Sequence, residues 1–415
     1  MSARAIAVAG LVALAVAMGI GRFAFTPILP MMLRDGVVDL HAASWLASAN
    51  YVGYLAGAVL CTLQPFVWAR VPSLPAPDAP PLVRTGLVGT AVLTLAMALP
   101  FASAWPALRF LAGIASALVF VYSSGWCLAQ LAARGKPALG GAMFAGPGVG
   151  IVASGLLASA MVAWHWTSAD AWLVFGALAA ILTGWVWRVF TTATVQHDAT
   201  ATPPSAEFSQ APAPSAAPRP AQHGSAEVAT LAVAYGISGF GYIVTATFLP
   251  VIARAALPAD SPWLDLFWPI FGAGVILGAL LATRVRVSGD LRLVLAGAYL
   301  VQAIAIAIGI GAPSAAGFAI GSFLLGFPFT AITYFAMHEV RRLRPHQVAG
   351  TTGLVTAIWS IGQSAGPPMV AVLLKKSAGV GAAFTLSLVI AAGTLAVGAV
   401  VFLASTRLWP RAVGP

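Results

Sequence analysis

Residues 19–30 read GIGRFAFTPILP, and residues 239–250, 220 positions later, read GFGYIVTATFLP. Each is a Gly-x-Gly pair followed by Leu-Pro within a long apolar run. Two further matches keep almost the same spacing. Gly53-xxx-Gly57-Ala-x-Leu60 returns as Gly274-xxx-Gly278-Ala-x-Leu281, and Gly146-Pro147 returns as Gly366-Pro367. Small-residue motifs are common singly wherever membrane helices pack closely. Three of them at one offset mark a duplicated unit. The composition says what kind of unit it is: 60% of the 415 residues are hydrophobic and 8% are charged. A soluble domain carries about 25% charged residues, so this chain cannot build a water-facing surface.

Cutting the sequence at Pro, Gly and charge clusters predicts twelve apolar segments, near 5–32, 42–63, 83–104, 105–131, 138–164, 169–189, 228–256, 262–283, 290–312, 314–339, 346–374 and 379–405. Each is long enough for the roughly 20 residues that a crossing takes. The first resembles a secretory signal with Arg4 as its basic flank, but it runs on to Met32 and more spans follow, so it reads as a membrane helix. Residues 190–227 are rich in Pro, Ala, Ser and Thr and cannot bury a core, which predicts a flexible linker. The expected architecture is an all-α membrane protein. Residues 1–189 and 228–415 each form a bundle of six helices, and the two are parallel repeats about an axis along the membrane normal.

The bases give an orientation. With the N-terminus inside, only Arg34, Arg254, Lys375 and Lys376 fall outside, and all other bases except Arg22 and Arg109 fall inside. That bias predicts that both termini and the linker are cytoplasmic. The net charge of +10 is then topology, and nucleic acid is not an expected partner. Cys61 and Cys127 lie in apolar runs, with no disulfide framework or metal spacing. No HExxH or phosphate-loop pattern occurs, and no catalytic residue, metal or cofactor is expected.

The duplicated six-helix plan with its long central linker resembles the major facilitator superfamily over essentially the whole chain. Arg109-Phe-Leu-Ala-Gly113 is similar to that family's Arg-xxx-Gly motif, and Ala142-xxx-Gly146-Pro147-xx-Gly150 to its antiporter-associated Gly-Pro motif. The stretch around Arg22 most resembles the bacterial branch labelled YbfB/YjiJ. The resemblance implies a transporter of the bacterial inner membrane with a small-molecule substrate, a monomeric state and protons as a candidate coupling ion. The family's loop motif after the second helix is degraded here. Ala282 and Cys61 stand where its Asp belongs, although Arg284 and Arg286 could pair with Asp290 or the acid of the tenth helix.

Arg22 is the most specific single residue, since it lies about 15 Å from the end of its segment. An ionisable group at that depth faces a bundle interior or a cavity, unless Pro27 and Pro30 end the helix early and bring it to the interface. As an interior group it would anchor an anion, because a guanidinium grips a carboxylate at two points. Arg109 reads first as an interfacial arginine with a snorkelling side chain and second as a gating residue. No carboxylate falls in mid-membrane; Asp265 and Glu339, at helix ends, are the remaining gating or coupling candidates. Asn50, Tyr51, Tyr122, Tyr242, Tyr334, Trp359 and Gln363 are candidates to line a substrate site, with Tyr54, Trp126 and Trp268 extending the set. Gly146, Pro147, Gly366 and Pro367 read as helix bends. The expected function is alternating-access transport of a small organic solute, anionic or carboxylate-bearing. The alternative is efflux of drugs or other hydrophobic compounds.

Overall fold

A computed structural model describes residues 1–70, 78–191, 224–284, 289–345 and 347–411. It is all-helical, with no strand among the described residues. Eleven helices are long and apolar enough to cross a membrane: α1 (Ala3–Arg34), α2 (Leu40–Gln64, extending to Arg70), α3 (Ala79–Ala96), α4 (Ala102–Ala133), α5 (Gly140–Ala163), α6 (Ser168–Val186), α7 (Ser225–Ala256), α9 (Leu291–Gly311), α10 (Ala315–Leu343), α11 (Gly350–Lys376) and α12 (Val380–Leu408). The remaining apolar helix, α8 (Phe267–Ala282), is shorter. The expected segment 262–283 begins late because Leu257 and Pro258 leave the helical conformation and turns run to Leu266. The third expected segment likewise ends at Ala96, in turns that precede Leu99-Pro100. The expected linker, 190–227, lies mostly at 192–223, outside the described residues, as does Arg286; its last three residues, 225–227, instead form the first turn of α7, ahead of the apolar run.

α1 is interrupted in the middle. Ala3–Leu14 is α-helical, Ala15–Ile20 is wound as a π-helix, and a regular helix resumes at Phe25–Arg34. Gly21 and Phe23 donate to carbonyls five residues back, Val16 and Met18, at 2.9 and 3.0 Å. Pro27 has no N–H to offer the Phe23 carbonyl, which helps to keep the break open. Gly19 lets the widened turn press on α5, since a Cβ there would meet Gly150 Cα at 2.4 Å. Helix interruptions are tolerated in membranes only where other protein groups satisfy the freed carbonyls. Here α4 does so: Ser116 donates to Ala17, and Arg109 to both Gly21 and Arg22.

Two seams join α1–α6 to α7–α12. Along α2 and α11, Ser48 donates to the Ser364 carbonyl at 2.9 Å, and at the other end Gly353 abuts Thr62. Along α5 and α8, Gly141, Gly148 and Gly155 abut Thr283, Ile276 and Pro269, and a Cβ at any of them would lie within 2.8 Å of its neighbour. Thr26 donates to the Ala246 carbonyl at 3.0 Å, tying α1 to α7. Both seams are closed along their lengths. The Gly-Pro pairs behave differently in the two halves. Helix α5 breaks at Phe144–Ala145 and restarts at Gly146-Pro147, whereas α11 runs unbroken through Gly366, Pro367 and Pro368.

Candidate functional site

The π-helical stretch aims Arg22 inward, not toward lipid. The helix continues beyond Pro27 and Pro30, so these prolines do not bring Arg22 to an interface; the side chain is 1% exposed. Its Nη2 donates to the Gln363 side-chain carbonyl of α11, and its Nε and Nη1 have no hydrogen-bond partner. Aromatic faces fill the rest of its surroundings. The guanidinium carbon lies 4.2 Å from the Tyr54 ring centre, 5.1 Å from that of Tyr51 and 5.8 Å from that of Trp359. Such contacts are worth about 2 kcal/mol each when desolvated, which offsets part of the cost of burying the charge.

From Gln363 the chain of hydrogen bonds continues to Tyr242 of α7, whose hydroxyl accepts from the Gln363 amide. Tyr242 and Trp359 stack at 6.0 Å, and Phe329 meets Tyr242 edge-on at 4.9 Å. Tyr51 shares a 2.8 Å hydrogen bond with Thr247. Trp268 reaches the same centre through Phe23, with the rings 6.0 Å apart. The structure therefore brings together Arg22, Tyr51, Tyr242, Trp359 and Gln363, and each contact joins residues far apart in sequence.

Five other candidates lie elsewhere. Asn50 turns away and donates to the Arg109 carbonyl at 2.9 Å, which fastens α2 to α4. Tyr122 donates to Gln64 at 2.7 Å, and Tyr334 packs on His338 at 4.5 Å, both toward the end of the molecule that carries the termini. Trp126 is with them, against Phe190. Asp265 sits in the turn before α8 and pairs with Arg254 at the far end.

Arg109 corrects the interfacial expectation. It is 2% exposed and spends its Nη1 and Nη2 on the Gly21 and Arg22 carbonyls, at 3.2 and 3.1 Å. Its depth along α4 was a poor guide because the side chain reaches sideways into the α1 break. Among the described residues no carboxylate pairs with Arg22 or Arg109. A buried cation without an acid costs several kcal/mol, so this pair is held against a standing penalty.

Glu339 is likewise not an interfacial charge. It is 1% exposed and accepts from Arg342 and Arg411, each at 2.7 Å. Arg342 also reaches Glu227, while Arg292 pairs with Asp290 at 2.6 Å and Glu227 at 3.4 Å. These partners replace the expected link from Arg284 to Asp290 or Glu339. Burial opposes ionisation of Asp290, but hydrogen bonds from Arg292 and the charges of Arg411 and Arg292 outweigh it and hold the carboxyl below its ordinary range. Sequence reasoning passed over Glu227; its one signal was a lone acid in the first turn of an otherwise apolar helix.

The family described as "Uncharacterised MFS-type transporter YbfB" matches residues 14–403. A search of curated proteins finds no match. Among solved structures, the crystal structure of a mutant of the nucleoside transporter NupG is similar, with a TM-score of 0.69 and 14% sequence identity, over 96% of this chain and 99% of that one. At that identity the likeness establishes the shared fold.

Proposed function

Because the chain belongs to the YbfB family of MFS-type transporters, we propose that it is a secondary transporter for a small organic solute bearing a carboxylate. Its helices work as two six-helix bundles, α1–α6 and α7–α12, joined by the segment between them and rocking about the centre occupied by Arg22. One observation carries the choice of cargo: a buried guanidinium with two unpartnered nitrogens and no acid beside it. A guanidinium in that position favours an anion over a cation or a neutral solute. The aromatic faces around it suit an apolar body attached to the carboxylate. The positive-inside bias supports cytoplasmic termini, and our reading is of a monomer in a bacterial inner membrane. No carboxylate of this chain falls in mid-membrane to relay a proton, so a coupling proton would travel on the cargo's own acid group.

The test is uptake into proteoliposomes of radiolabelled carboxylates ranging from acetate to benzoate, with benzyl alcohol as the uncharged control. Arg22→Ala is expected to lower carboxylate uptake at least a hundredfold. Carboxylate uptake that persists unchanged in Arg22→Ala overturns the assignment. The second reading, efflux of hydrophobic compounds, draws on the cluster of Phe23, Trp268, Phe329 and Trp359. It is favoured if benzyl alcohol or larger neutral aromatics move as fast as benzoate and do so without Arg22.

A further inference from the structure

The single polar bond made by the Arg22 side chain leaves its own half of the chain. Of its three nitrogens only Nη2 has a partner, and that partner is Gln363 on α11, 341 residues away. Gln363 is itself fully buried and held from behind by the Tyr242 hydroxyl. Its terminal amide has the shape of a carboxylate, with one oxygen presented to the guanidinium and the other oxygen replaced by an NH2. The residue thus puts a neutral copy of a carboxylate on the cation, at the place where the two halves meet.

Resting on the carboxylate reading above, we propose that Gln363 stands in for the cargo on Arg22, allowing the carrier to close without cargo and so to carry out net transport rather than obligate exchange. A carrier that moves solute in one net direction must return through the closed arrangement with its site unfilled. Closing both seams over a guanidinium with no acceptor would bury that charge bare, at a penalty that holds the carrier open. The Gln363 carbonyl removes part of that penalty on every return. An arriving carboxylate carries full charge, makes the stronger hydrogen bond and displaces the amide. Gln363 then keeps only Tyr242, and the link between α1 and α11 passes to the cargo. A wholly structural glutamine would be replaceable by a shape-matched residue whether or not Arg22 were present. A stand-in is dispensable only when the charge it serves is gone.

The experiment is distance measurement on the full-length protein in lipid without added solute. One pair of spin labels is placed at the far end, Val37→Cys with Val380→Cys, and one at the terminal end, Lys136→Cys with Leu408→Cys. The native Cys61 and Cys127 are buried. Wild type should populate the closed distances at both ends. Gln363→Leu should shift the closed-to-open ratio toward open by roughly tenfold to a hundredfold, the range for losing a hydrogen bond to a charged group. Gln363→Glu, which supplies a permanent anion, should favour closure more than wild type. Arg22→Leu combined with Gln363→Leu should restore closure. Benzoate efflux from proteoliposomes gives the functional side: in Gln363→Leu, net efflux into benzoate-free buffer should fall tenfold or more while exchange against external benzoate persists. An unchanged distance distribution in Gln363→Leu, or no recovery in the double variant, overturns the stand-in even if carboxylate uptake still requires Arg22. Loss of the carboxylate assignment is read separately, from the Arg22→Ala uptake experiment.

Discussion

Arg22 and Tyr242 occupy matching places in two stretches, one in α1 and one in α7, that begin with the same Gly-x-Gly and end with the same Leu-Pro. The same spacing of 220 pairs Arg109 with Phe329, Val119 with Glu339 and Tyr122 with Arg342. The first half therefore keeps its buried charge in mid-membrane, with two arginines and no acid. The second half is uncharged at those positions and keeps its buried charge at one end, where Glu227, Asp290 and Glu339 face Arg292, Arg342 and Arg411. Matched glycines do matched work in both: Gly53 packs on the Phe110 carbonyl of α4, and Gly274 on the Phe323 carbonyl of α10. The shared scaffold isolates what differs. A buried charge with its counter-charge beside it is a fastening, and one without a counter-charge is where the proposed function puts the cargo.

The sharpest way to break this comparison is to remove a fastening. Glu339→Leu leaves Arg342 with Glu227 and Arg411 with Asp290, one acid each in place of two, and should cost about 3 kcal/mol, seen as a large drop in thermal midpoint in detergent. Val119→Ala at the matching place should cost about 2 kcal/mol, and equal losses would show that the pairing adds nothing. Next in size is Arg109→Lys, which keeps the charge but cannot bridge two carbonyls. One stranded carbonyl predicts a loss of about 1–3 kcal/mol and, because Arg22 is then poorly aimed, slower carboxylate uptake. Phe329→Leu should cost less than about 1.5 kcal/mol. Tyr242→Phe removes only the hydroxyl behind Gln363 and should cost about 1 kcal/mol, with uptake lowered but not lost. The smallest effect is on acid stability. Asp290 titrates below its ordinary value, so its contribution is complete above about pH 4 and is lost as pH falls through the lowered value. The thermal midpoint should be flat from neutral pH to about pH 5 and decline only below that. Asp290→Asn should lower the plateau and lessen the decline.

Segment positions were legible because a span must be long and apolar; the expected 228–256 and 105–131 lie within one to three residues of helices Ser225–Ala256 and Trp105–Ala133. The ends of α3 and the start of α8 were not, because they depend on turns around Pro100 and Pro258. Arg22 was legible as a lone charge deep in an apolar run. Its partner was not: nothing local connects residue 22 to residue 363, and only the seam between halves brings them together. Arg109 was placed by its distance from a helix end, a measure blind to a side chain that crosses to a break in the neighbouring helix. Glu339 was misread for a related reason, since a charge near a helix end is usually solvated unless other elements converge on it, as α7, α9 and the residues after α12 do here.

The two unpaired guanidiniums also bear on leakage. A membrane that stores energy as an ion gradient is damaged by any protein that lets protons or sodium slip through. Arg22 lies 12 residues from the end of α1 at Arg34, about 18 Å along the axis and near the middle of the bilayer. Two fixed positive charges there raise the electrostatic energy of any cation entering the centre, the device by which an arginine in a water channel turns protons away. The residues that would draw in an anionic cargo thereby help to keep the membrane's voltage from draining through the same passage.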